Sequence, residues 1–129
     1  MIGYITIGVN DLEAAGTFYD ALLAEIGAVR LFEMETMKYY GTGVEQSTML
    51  AICTPYDKQA QHPGNGNMIA IPGGTREGVD KLYAKALELG GTDEGEPGVR
   101  SFEEENMPVF YGAYVRDLDG NKLCFFEMS

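Results

Sequence analysis

The chain is poor in basic residues, with 9 against 20 acidic ones, and holds one histidine and two cysteines. A net charge of −11 repels phosphate backbones, so nucleic acid is not an expected partner. Cys53 and Cys124 sit in apolar runs without a C-x-x-C spacing, which reads as small core residues in a reducing compartment. His62 lies in a polar stretch beside Pro63 and Gly64, where a solvated imidazole is expected rather than a metal ligand. No apolar run approaches a membrane span, and no basic-then-apolar leader opens the sequence. A cytoplasmic protein with no membrane partner is the expectation.

What is present is one domain, residues 1–129, with a pattern written twice. Residues 2–9 alternate as a strand. Asn10 is placed to cap a helix over residues 11–26, Glu13 stands in the capping-box position, and Gly27 is placed to end it. Strands are expected at 28–34, 37–42 and 48–54. The first module thus spans about 1–55, and the turn-rich residues 56–67 read as a linker. The second module, 68–129, begins with a strand at 68–71, a cap at Thr75 and a helix over 75–89. A constant shift of 64 residues sets Tyr4 on Met68, Ile5 on Ile69, Glu13 on Glu77 and Tyr19 on Tyr83 without a gap, which argues for an internal duplication.

Residues 92–98 read as a Gly/Glu-rich loop and 99–102 as a short strand, followed by the acidic run Glu103-Glu104-Glu105. The clearest local signal is the closing hairpin, residues 110–127, reversing at Asp117-Leu118-Asp119-Gly120-Asn121. An EF-hand calcium loop does not fit, because its glycine belongs at the sixth position with more oxygen ligands around it. A βαβββ unit cannot cover both faces of its own sheet, so edge-to-edge pairing of the two copies is expected. Alternation turns Ile5, Ile7, Ile69 and Ile71 toward the helices and Tyr4, Thr6, Met68 and Ala70 to the opposite face.

The segment Y-G-A-Y-V-R-D-L-D-G-N-K-L resembles the closing hairpin of the vicinal-oxygen-chelate superfamily: glyoxalase I, extradiol dioxygenases, and bleomycin- and fosfomycin-resistance proteins. The resemblance implies an α+β fold of two tandem βαβββ modules, forming a curved mixed sheet around a central cavity. It also implies where a metal would sit. The family's His, His and Glu fall on Tyr4, Met68 and Cys124, so this is expected to be a member lacking the usual metal ligands, with no cofactor. Tyr111 with Ala113, and Cys124 with Phe126, are expected to line the cavity with Tyr4 and Met68. Arg100 is placed either to clamp a carboxylate or phosphate or to form a surface ion pair with the acidic run. A thiol among Leu123, Phe125 and Phe126 should stay protonated and inert. The expected function is metal-free binding of a small organic molecule between the modules, by a homodimer. The alternative is a lyase, isomerase or dioxygenase with altered ligands.

Overall fold

The computed structural model describes residues 1–100 and 107–129. The elements in order are β1 (Tyr4–Gly8), α1 (Leu12–Ala24), β2 (Val29–Met34), β3 (Met37–Gly41) and β4 (Met49–Cys53), then β5 (Ile69–Pro72), α2 (Arg76–Glu88), β6 (Thr92–Val99), β7 (Phe110–Arg116) and β8 (Lys122–Met128). In the first half β1 runs parallel to β4, and the sheet order is β1-β4-β3-β2. The second half repeats this as β5-β8-β7-β6, with β5 parallel to β8. The fold is α+β, built from two tandem βαβββ modules as the duplication predicts. The sheet comes in two four-stranded parts. Among the described residues, the neighbouring edges β1 and β5 do not extend one ladder into the other, contrary to the edge-to-edge pairing expected. A groove bordered by Ile5, Ile69 and the linker residues His62 and Asn67 lies between them instead.

Both helices start and stop for local reasons. The N-cap of α1 is Asp11, not Asn10: its backbone is extended and its carboxylate accepts the Ala14 N–H at 3.0 Å. Asn10 is used elsewhere, donating its N–H to Asp119 and accepting that of Gln61. Moving the cap by one residue takes Glu13 out of the capping-box position, and its carboxylate meets the buried Lys38 ammonium at 3.3 Å. Thr75 caps α2, accepting from Gly78 N at 2.9 Å. Gly27 and Gly90 end the helices with positive φ of 74° and 103°.

A strand also replaces an expected loop. Residues 92–98 are not a loop but most of strand β6, whose pairing with β7 shifts register twice, around Gly95. A bulged edge strand tolerates the glycines and proline that disguised it. Of the short strand expected at 99–102, Val99 ends β6 and Arg100 lies beyond it, while residues 101–102, with Glu103-Glu104-Glu105, lie outside the described residues.

The apolar faces of both helices meet in one core. Phe18, Tyr19 and Leu22 of α1 join Val79, Leu82 and Ala86 of α2 over Ile52, Val115, Leu123 and Phe125. The turn of the closing hairpin carries the polar joint between modules. The buried Asp117 carboxylate accepts the Tyr19 hydroxyl at 2.6 Å, the Asn121 side chain at 3.0 Å, and the backbone N–H groups of Asp119 and Asn121. The Asn121 side chain in turn donates to Gly8 O at 2.9 Å. Burial, then Asp117, pushes the Tyr19 hydroxyl well above the ordinary phenol value.

This gives a pH expectation with a definite sign. Tyr19 keeps its proton in the folded protein after the unfolded chain has begun to lose it, above about pH 10. Its contribution is complete below that pH and declines as pH rises further. Melting temperature should therefore fall above about pH 10, and less steeply in Tyr19→Phe. Equal alkaline slopes in the two proteins would contradict it.

Candidate functional site

Each sheet has one face under a helix and one face open, and the pairing register decides which residues share which. In the first module Tyr40 turns under α1, its hydroxyl bonded to Asp20 at 2.7 Å, so Tyr39 faces the open side. There the Tyr39 ring meets Tyr4 edge-on at 5.3 Å and Phe32 at 6.2 Å. Tyr4, Phe32, Met34 and Met68 are 44–60% exposed, which leaves an apolar surface uncovered.

In the second module Ala113, Val115, Leu123 and Phe125 are fully buried beneath α2, which turns the even-numbered residues of β7 and β8 outward. Phe110 and Phe126 stack nearly parallel there, centroids 5.6 Å apart. Gly112 lies below the Phe110 ring, where a Cβ would strike it. Next along the strand, Tyr114 stands opposite Cys124. The Arg100 guanidinium lies 5.7 Å from the Tyr114 ring centroid and the Lys122 ammonium 5.5 Å from it. Burial pushes the Cys124 thiol above its ordinary pKa, against opposing pulls from Tyr114, Lys122 and Arg100. The Tyr114 hydroxyl is also raised, by burial and then Cys124.

The groove at the seam holds about 430 Å³ and is lined by Thr6, His62, Asn67, Met68 and Lys122 among others. A second, more apolar hollow of about 310 Å³ lies where β5 passes α1, lined by Leu23, Ile26, Tyr40 and Ile71 among others.

A crystal structure of a glyoxalase/bleomycin resistance protein from Albidiferax ferrireducens T118 is 33% identical, with a TM-score of 0.86, over 98% of each chain. The chain belongs to the glyoxalase/bleomycin resistance family. A glyoxalase-related enzyme from Fulvimarina pelagi matches at TM-score 0.71 and 20% identity, over 98% of this chain and 86% of that one. A glyoxalase/bleomycin resistance protein/dioxygenase family enzyme from Burkholderia phytofirmans PsJN matches at TM-score 0.71 and 19% identity, over 96% and 95%. These last two speak for the fold alone. No family model and no curated protein sequence matches the chain.

Set in the glyoxalase fold, the residues picked from sequence separate into three groups. Arg100, Cys124 and Phe126 share the open face of the second module, although Cys124 is only 1% exposed. Met68 lines the seam groove, and Tyr4 packs on Tyr39 in the first module. Tyr111 and Ala113 are not in that lining. Tyr111 pairs with Glu127 and bonds Asp80 of α2 at 2.6 Å, on the helix side, and Ala113 is fully buried there. Counting outward from the turn, Arg116 pairs with Lys122, so even residues of β7 share a face with even residues of β8. That count would have selected Tyr114 and Phe110, which sequence reasoning passed over together with Lys122.

The metal of glyoxalase-type enzymes does not fit the donors here. A phenol, a thioether and one thiol supply neither the imidazoles nor the carboxylates that zinc, iron or magnesium take. Ala51, the first-module partner of Thr6, stands where Cys124 partners Ala70 in the second and offers no donor at all. Among the described residues no group of three or more His, Cys, Asp or Glu is placed to hold a metal ion. Nor is any described helix long and apolar enough to cross a membrane.

Proposed function

We propose that this protein binds a small organic molecule against the open faces of its two modules, without a metal. The observation that carries this reading is the aromatic lining itself: Tyr4–Tyr39–Phe32 on one module and the stacked Phe110–Phe126 pair on the other, beside a groove of about 430 Å³. Apolar walls with a few fixed polar groups suit orientation of an organic ligand. The likeness to a protein named for glyoxalase and bleomycin resistance supports the same reading. Two copies are proposed to associate, since exposed Phe32, Met34 and Val29 and the unladdered edges of β1 and β5 gain cover that way. The unpaired thiols of Cys53 and Cys124 suit a reducing cytoplasm.

The test is metal analysis of tag-free protein purified without chelators, with melting curves in added zinc, nickel or iron. Well under one metal per chain and no mass-action rise in melting temperature are expected. Near-stoichiometric metal lost in Cys124→Ala would overturn the metal-free reading and favour a lyase, isomerase or dioxygenase with altered ligands. Light scattering should give twice the 14.1 kDa chain mass, and a monomer at micromolar concentration would remove the dimer.

A further inference from the structure

We propose that the ligand is an aromatic organic anion, its charged group held by Arg100 and Lys122 beside Tyr114 and its flat body on the Phe110–Phe126 shelf. The inference rests on the binding reading above and names its ligand class.

Five of the chain's nine basic residues, Arg30, Lys38, Arg76, Lys85 and Arg116, have a carboxylate within 4.0 Å. Among the described residues the other four, Lys58, Lys81, Arg100 and Lys122, have none, and of these Arg100 and Lys122 converge on one neutral ring. The nearby carboxylate of Glu94 is already engaged by Arg116 at 2.6 Å, so it does not cancel the pair.

Arg100 is also held in place. Its guanidinium donates to Glu96 O at 2.8 Å and its backbone N–H to Phe110 O at 2.7 Å, which leaves further guanidinium donors for an oxyanion. Lys122 is also among the residues that line the seam groove. Opposite Tyr114, Cys124 adds no negative charge, since burial keeps its thiol protonated. The shelf begins one strand repeat away. Phe126 pairs with Gly112, and the missing side chain there leaves room for the Phe110 ring, which lies parallel to that of Phe126. Cations at one end and a planar apolar surface at the other match a carboxylate, sulfonate or phosphonate on an aromatic body.

The test uses two fluorescent probes of similar shape, anionic 8-anilinonaphthalene-1-sulfonate and neutral N-phenyl-1-naphthylamine. Wild-type protein should bind both, the sulfonate more tightly. Arg100→Gln and Lys122→Gln should each weaken the sulfonate roughly tenfold and leave the neutral probe within about twofold. Arg100→Lys should recover part of the loss. Raising salt from about 0.05 to 0.5 M should weaken only the sulfonate, a readout that needs no variant. Phe126→Ala should weaken both probes. Sulfonate binding indifferent to both glutamine variants and to salt would overturn the anion site and leave organic-ligand binding standing. Failure of wild-type protein to bind either probe would overturn both.

Discussion

Asp117→Ala is expected to lower stability by about 4 kcal/mol in urea denaturation, the sum of several buried donors left without an acceptor. The carboxylate lies in the hairpin turn of the second module, and its 2.6 Å partner Tyr19 lies on α1 of the first. Without it the Tyr19 hydroxyl and the Asn121 side chain lose their shared acceptor, in a site only 5–7% exposed at Asp117 and Asn121. Asp117→Asn keeps one oxygen and should cost less. Tyr19→Phe should cost least, because the carboxylate keeps its other donors. A loss below about 1 kcal/mol in Asp117→Ala would mean the joint contributes little beyond the apolar core it accompanies.

Gly78→Ala should also be severe, although it replaces a glycine inside a helix. Alanine normally gains about 1 kcal/mol there. Here the added methyl would run into the Gly73 carbonyl, and a Cβ on Gly73 would in turn sit 2.7 Å from Val79 N. Both obstacles are backbone, so the start of α2 must move off the end of β5. A net loss of about 3 kcal/mol is expected, by thermal or urea melts. Gly16→Ala in α1 makes the contrast. Its new methyl would meet the ends of the Arg30 and Lys38 side chains at 3.1 Å, which can give way. That variant should stay within about 1 kcal/mol of wild type. A stabilised Gly78→Ala protein would refute the close approach.

Much of this was legible in the chain. The 64-residue repeat and the turn chemistry of Asp117 to Asn121 led to the right modules, because strand and helix periods depend on neighbours two to four residues away. The misjudged features depend on something else. Strand β6 hid behind Gly95, Pro97 and Gly98, residues a bulged edge accepts and a composition count rejects. Tyr111 was assigned to the cavity by resemblance, where counting pairs from the turn would have sent it to α2. The second task of Asp117 was invisible, since its partner Tyr19 stands 98 residues away and no local pattern joins them. Arg100 was chosen for reach alone. That Lys122 approaches the same ring follows only from β7 and β8 lying side by side.

The parallel pairing of β1 with β4, and of β5 with β8, has a kinetic consequence. The opening strand of each module finds its neighbour only after the helix and two further strands have been laid down. Neither unit can therefore close on local contacts alone, and closing a loop of that length slows folding relative to a hairpin. On the ribosome the first unit has all its strands once Cys53 has emerged, and it can collapse while the linker is still being made. The second must wait for β8, with β5 and the exposed Met68 unaccompanied until then. The turn that docks onto Tyr19 and Gly8 is completed immediately before that strand, so the already folded first unit can hold the hairpin in place as β8 arrives. A destabilised joint should then show itself first as slower refolding and more aggregation of nascent chains, ahead of any change in the structure of the finished protein.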